Sequence, residues 1–416
     1  MTLDPVHVDG IARLAGQITS AVDESEHRDL AETVWADFLD PLTEDGTVIL
    51  EPLGEQERCR VDIQDAALRE RPYPTQHGVD SGTINPTTFK NGVVLDVAHA
   101  AMASVPSDLE LHRGRSVVLT AHTYDRTQDL SRDWLVDDGG YTRKRVLHAP
   151  CVDRYEHDVV HALALYLAES EHALDQADVV EDLLLLDGPI YPTGILQWTD
   201  HDPALANLLE EDDPREVIQN YIDLVERFVE RDVPMVGFVK STTTKAVCRA
   251  VERVMSSAPW ANDAALFTQL LERRDDEGEV RTDELTCTNW FRSRAGTDDV
   301  LAGPDALGLD RELDPEQYAV TFFLVYDPRD ELLFRIEAPY AFTKDERRRE
   351  KLRQQLLSEV AAERGPPQAV AKADELARIG AHEKGALREA IEQRFDSERQ
   401  QTYNDTRWGL AFEAIE

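Results

Sequence analysis

The chain reads as an α/β protein built on a mixed sheet, and three observations predict it. Leu183 to Leu186 and the stretch "MVGFVK" are short, uninterrupted apolar runs. They are too short for buried helices and lack alternation, which marks strands covered on both faces. Segments of helical period stand between them, notably Asp153 to Leu174 and "DPREVIQNYIDLVERFVE". Two adjacent runs rich in aromatic and branched residues, "YAVTFFLVY" and "LLFRIEAPY", then predict a strand pair.

Taken in order, residues 1–74 form an accessory region. "VDGIARLAGQITSAV" and "HRDLAETVWADFL" carry helical apolar spacing, "GTVILEPL" and "RCRVDI" read as short strands, and the Pro-rich "RERPYPTQHG" marks a boundary. Residues 75–416 hold the main body. "GVDSGTINPTTFKNGVVLDVAHAAMA" predicts strand, turn, strand, and "SVVLTAHTY" another strand. Asp187 follows the leucine run directly, and Gly188-Pro189 stops that strand. "DPREVIQNYIDLVERFVE" begins a helix near Asp212 or Asp213 with Pro214 in its first turn. "TTTKAVCRAVERVM" is the helix after "MVGFVK"; a charged helix from Lys344 and a helical C-terminal end complete the chain.

Net charge is −38, from 82 acidic and 44 basic residues. The acids run along the whole chain rather than in a tail, which suits a surface bathed in molar salt, where screening acts within ~3 Å. In that setting acidity does not exclude a nucleic-acid substrate. No run approaches the ~18 apolar residues of a membrane span, and the acidic start "MTLDPVHVDG" lacks a secretory pattern, so a cytoplasmic location is expected. Cys59, Cys151, Cys248 and Cys287 are far apart with no CxxC pair, so free thiols are expected. No HExxH, HxH, GxSxG, GxGxxG or P-loop pattern is present.

Three carboxylates remain as candidates. Asp80 in "HGVDSGTIN" sits at a strand–turn junction, as a ligand or as an Asx-turn. Glu156 lies at the centre of the stripe formed by Val159, Val160, Leu163, Leu167 and Leu174, either facing a partner or favoured in a first helical turn by the dipole. Asp187 ends a buried strand, where an unpaired charge is costly, either as a ligand or as a strand-terminating residue that accepts hydrogen bonds from the Gly-Pro turn. Converging acids repel one another, and Mg²⁺ or Mn²⁺ relieves that repulsion with all-oxygen ligands. Lys240 ends a second buried strand, which places it to open onto the same sheet edge as Asp187. Ser241 to Thr244 then start a helix whose free N–H groups suit a phosphate; ordinary N-capping by Ser or Thr with a snorkelling lysine is the alternative. Arg143, Lys144 and Arg145, and Arg347 and Arg348 within "TKDERRREKLRQQ", are the cationic clusters available to a phosphate backbone; internal acid–base pairing is the alternative for the second.

The succession "GVDSGT", "DRYEHDVVHALAL", "LLLLDGPIYP", "VGFVKST", "FFLVY…LLFRIEAPY" and "GPPQAVAKADELARI" resembles the NurA family of DNA-repair nucleases from about Gly78 to Ile379, in a version similar to those of halophilic archaea. The resemblance implies an RNase H-like mixed central sheet flanked by helices, with the N-terminal helical and hairpin extension added. It implies 5′-to-3′ degradation of DNA and cutting of single strands, Mn²⁺ or Mg²⁺ as cofactor, a homodimer, and work with the hexameric helicase HerA in break end resection. By position, Asp80, Glu156 and Asp187 become the metal ligands, with Glu169 as the alternative on the same helix although it points away from the apolar stripe. Where the family carries tyrosine and histidine, this chain has Pro366 and Asp374, and Asp374 is expected to replace the histidine as ligand. An inactive adaptor on a HerA-like ATPase, and an enzyme preferring RNA or hybrids, are the competing readings.

Overall fold

A computed structural model describes residues 5–19, 24–124, 133–200, 203–255 and 258–401. The end of the first expected helical stretch, residues 20–22, and the expected helical C-terminal end beyond 401 lie outside the described residues. The chain opens with α1 (Pro5–Thr19), α2 (Glu24–Phe38), β1 (Leu42–Glu44), β2 (Thr47–Pro52), β3 (Arg58–Asp62) and α3 (Ile63–Ala67). Then come β4 (Gln76–Thr83), β5 (Thr87–Thr88), β6 (Val94–Val105), β7 (Arg115–His122), β8 (Leu135–Asp137), β9 (Thr142–His148), α4 (Glu156–Asp175) and β10 (Leu183–Asp187). Next are α5 (Thr193–Leu196), α6 (Pro203–Ala206), α7 (Asp212–Glu230), β11 (Met235–Val239), α8 (Ala246–Met255), α9 (Asp263–Leu271), β12 (Glu284–Thr288) and β13 (Phe291–Ser293). The last elements are β14 (Val320–Asp327), β15 (Leu332–Pro339), α10 (Tyr340–Thr343), α11 (Glu346–Glu363), α12 (Gln368–Ala377) and α13 (Ala381–Phe395).

All strands belong to one mixed sheet with the order β1-β2-β13-β14-β15-β11-β10-β4-β6-β7-β9-β8; β12 bridges β3 and β14, and β5 lies beside β6. β10 runs parallel to both β4 and β11, and β7 parallel to β9, while the other pairs are antiparallel. The strands of the N-terminal extension are hydrogen-bonded into this sheet, β2 to β13 and β3 to β12.

The leucine run is apolar throughout because both faces of β10 are covered. Leu184 and Leu186 pack under α4 and α7, while Leu183 and Leu185 meet the layer of α11 and α12. β14 follows the same rule, with Phe322, Leu324 and Tyr326 toward α8 and α9, and Phe323 and Val325 on the other face. Gly188 takes φ +119°, a conformation that favours glycine, and turns the chain directly after Asp187.

One expectation is corrected. Cys59 and Cys287 are joined as a disulfide rather than free, whereas Cys151 and Cys248 are free thiols. The two residues face each other across the antiparallel β3–β12 pair with Cα atoms 5.0 Å apart, within bridging range. They are 228 positions apart in sequence, so only the sheet register brings them together.

Candidate metal centre

β4 and β10 are parallel neighbours, so their C-terminal halves open onto the same edge of the sheet. β4 carries Gly78, Asp80 and Gly82 on one face, and α12 lies directly on that face. A Cβ on Gly78 would stand 2.3 Å from the Ala369 carbonyl oxygen, and one on Gly82 only 2.0 Å from that of Ala377. These glycines let the helix backbone touch the strand, and that approach carries Asp374 of α12 over Asp80.

The result is a carboxylate cluster. Asp80, Asp187 and Asp374 each offer an oxygen, and the three lie within 4.8 Å of one another. Octahedral ligands at 2.0–2.1 Å from an ion are about 3 to 4 Å apart, so small side-chain adjustments suffice. Asp80 is 9 % exposed, and its Oδ1 accepts the Ser81 backbone N–H at 2.7 Å. Asp187 accepts from Lys240 Nζ at 2.6 Å, and Asp374 is exposed.

Electrostatics say the same. Burial, then the neighbouring Asp187 and Asp374 charges, push the Asp80 carboxyl up to about 7, against the opposing Ser81 bond and Lys240. Burial also raises Asp187, against the pull of Lys240. Burial draws the Lys240 ammonium down, but its bond to Asp187 and the Asp80 and Asp374 charges leave it above its ordinary value. One ammonium does not neutralise three acids. Hard oxygen donors held together with excess negative charge fit a divalent cation such as Mn²⁺ or Mg²⁺.

Glu169 adjoins the cluster without joining it. Its Oε1 accepts from Ser81 Oγ at 2.7 Å, its Oε2 from the Tyr221 hydroxyl at 3.4 Å. Burial raises its carboxyl to about 8, aided by Asp80 and Asp187 although the Ser81 bond opposes. The structure does not bring Glu156 here. That residue starts α4, thirteen positions before Glu169, which at 1.5 Å per residue is about 20 Å along the helix. Its charge acts instead on His122 and Tyr124. The stripe argument misleads because α4 is covered on two sides, by the sheet and by α7, so a second face carrying Tyr166, Glu169 and Ser170 is enclosed as well.

The expected phosphate-binding cations are largely engaged within the chain. Arg143 pairs with Asp175 at 2.7 Å and Glu171 at 3.4 Å, Lys144 with Asp137, and buried Arg145 with Glu216. Arg348 pairs with Asp232, while Arg347 has no ion-pair partner among the described residues. Pro366 lies in the loop between α11 and α12, two turns of chain before Asp374. The glycine–Asp–glycine alternation in "GVDSG" was the available signal that another backbone presses on the Asp80 face.

A family model, the NurA domain, matches residues 74–379. No curated protein matches the sequence. Among solved structures, the NurA nuclease from Sulfolobus solfataricus superposes with a TM-score of 0.51 at 12% identity, covering 95% of this chain and 98% of that one. This likeness is one of fold. A NurA structure bound to dAMP and manganese gives a TM-score of 0.41 at 12% identity over 89% of this chain and 94% of its own.

Proposed function

The chain belongs to the NurA family, and on that premise we propose that it is a metal-dependent deoxyribonuclease. The observation that carries the reading is the meeting of Asp80, Asp187 and Asp374, from three separate elements, within 4.8 Å. In this reading those three residues hold Mn²⁺ or Mg²⁺, which suit an all-oxygen donor set. A divalent ion bound there supplies an acidified water and positive charge against a phosphodiester.

The remaining roles follow from contacts on the chain itself. Lys240 orients Asp187 and limits the repulsion among the acids. Ser81 and Tyr221 hold Glu169 at the rim, where its raised carboxyl keeps a proton near neutral pH and is placed to exchange it with the site. Asp374 supports an active enzyme over the inactive adaptor, because the residue standing where the family has histidine lies among the candidate ligands.

The reading extends to an RNase H-like core over residues 75–416 with residues 1–74 as accessory, and to 5′-to-3′ and single-strand cutting. It further includes a cytoplasmic homodimer adapted to high salt and working with a HerA-type helicase in double-strand break resection. The test is Asp187→Asn in purified protein with Mn²⁺ on linear and single-stranded DNA, with and without the helicase. The variant is expected to lose cutting; digestion at the wild-type rate removes the proposal, and an RNA or hybrid preference would show in the same substrate panel.

A further inference from the structure

Beside Asp374 a groove of about 520 Å³ runs between the end of β4 and the start of α13. That volume is within the ~300–1,000 Å³ usual for ligand sites. Asp374, one of the three clustered carboxylates, is part of its lining, and Arg378, Lys384 and Arg388 line it together with Thr83 and Asn85. Three cations on one wall are unusual in a chain of net charge −38. Unlike Arg143, Lys144, Arg145 and Arg348, neither Arg378 nor Lys384 has an ion-pair partner among the described residues.

The wall is a built feature. Arg378 follows α12 immediately, where the close contact of Gly82 with Ala377 fixes the chain. Lys384 and Arg388 are four apart on α13 and so share one helical face. Arg388 donates to the Ile84 carbonyl at 3.2 Å, tying α13 to the segment after β4. The far end of the helix is tied by Phe395 against Phe89 and by the Lys90 N–H to Glu398 carbonyl bond of 2.9 Å. α13 lies beyond residue 379, the last residue matched by the family model, so the sequence of two of the three cations is outside that match.

We propose that this groove seats the sugar–phosphate backbone of a single DNA strand as it leaves or enters the metal centre, with Arg378 and Lys384 contacting phosphates. The inference rests on the nuclease reading. Phosphate contacts carry no base information, so the grip is independent of sequence. It also makes strand binding separable from cutting, because the cations and the carboxylates are different residues.

The test compares wild type, the Arg378→Gln/Lys384→Gln double variant and Asp80→Asn. Affinity for a fluorescent oligothymidylate is read by anisotropy in EDTA across a salt series, and cutting is read separately with Mn²⁺. Both substituted cations are away from the core, and unfolding curves check that the fold is kept. The double variant is expected to bind roughly tenfold more weakly, with a log K against log salt slope shallower by about 1.4, one step of ~0.7 per lost single-strand phosphate contact. Its loss in kcat/KM should be carried mainly by KM. Asp80→Asn is expected to bind with the wild-type salt slope while no longer cutting. A double variant with wild-type affinity and slope overturns the groove, whatever the cutting assay shows. Weak binding by the double variant beside a wild type that never cuts DNA leaves the groove standing and removes the nuclease reading.

Discussion

Asp80 makes the metal-free protein weaken as pH rises. Its carboxyl is raised from 3.8 to about 7 in the folded chain, so between those values the folded state keeps a proton that the unfolded state has released. Stability from this group is complete below the unfolded value and is lost as pH climbs through the folded one. The slope is about 1.4 kcal/mol per pH unit, and from about pH 5 to pH 8 some two units are crossed, giving about 3 kcal/mol. Buried histidines act in the opposite direction: burial lowers His172 to about 3 and His77 to about 4, so they add stability as pH rises toward 6.5. The informative quantity is therefore a difference. Urea unfolding of wild type and Asp80→Asn in EDTA at both pH values should show wild type losing about 3 kcal/mol relative to the variant. Asparagine keeps the acceptor for Ser81 N–H and removes the charge. Mn²⁺ at a hundred times its dissociation constant should then stabilise wild type by about 2.7 kcal/mol at the higher pH and the variant far less. Parallel pH profiles with no selective Mn²⁺ effect would refute the claim that these acids are held together uncompensated.

Three further outcomes are expected. Gly82→Ala places a methyl 2.0 Å from the Ala377 carbonyl oxygen, so α12 must lift; unfolding curves should show a loss of about 2 kcal/mol or more, and calorimetry a weaker Mn²⁺ affinity. Asp374→Asn should weaken Mn²⁺ binding at least about tenfold, while Glu156→Gln, remote from the cluster, should leave it unchanged; equal effects in the same titration would contradict the site geometry. Replacing Cys59 and Cys287 by serine opens a loop closed across 228 positions, with an entropic ceiling of about 5 kcal/mol; denaturant unfolding of the oxidised protein and the double variant measures it, and identical midpoints would show the bridge contributes nothing.

Much of the fold was legible because its central strands are apolar on both sides. The leucine run and "MVGFVK" became β10 and β11, and the two aromatic-rich runs became the antiparallel β14 and β15. Helix ends shifted by a few residues where the caps were ambiguous: α4 begins at Glu156 rather than Asp153, and α8 at Ala246 after a non-helical "STTTK". The Cys59–Cys287 pair was not legible, since both strands are short and their pairing depends on the extension joining the sheet at β12. Local patterns report which faces are covered. They do not report by which distant strand.

The same limit explains the site. Asp80 and Asp187 stood out because each ends or interrupts an apolar run, and a charge in that setting needs a partner that can be inferred without knowing the fold. Glu156 and Glu169 could not be told apart in this way. Helical phase ranks faces by apolarity, but the face of α4 bearing Glu169 packs on α7 through polar and aromatic groups, Tyr166 on Tyr221 and Ser170 on Asn220. A hydroxyl-bearing enclosure is silent in a hydrophobicity pattern, yet burial within it is costly for a carboxylate: burial raises Glu169 to about 8 even though the Ser81 and Tyr221 hydroxyls oppose the rise. Polar residues spaced like an apolar stripe, such as Tyr166, Glu169 and Ser170, are therefore the better sign of a buried acid than distance from the stripe is of an exposed one. Applied to Asp374, the same reasoning works through its neighbours: Ala369, Val370, Ala373 and Ala377 are small buried residues that allow α12 to lie flat on a glycine-bearing strand, and that close contact, more than any property of the aspartate itself, delivers it to the cluster.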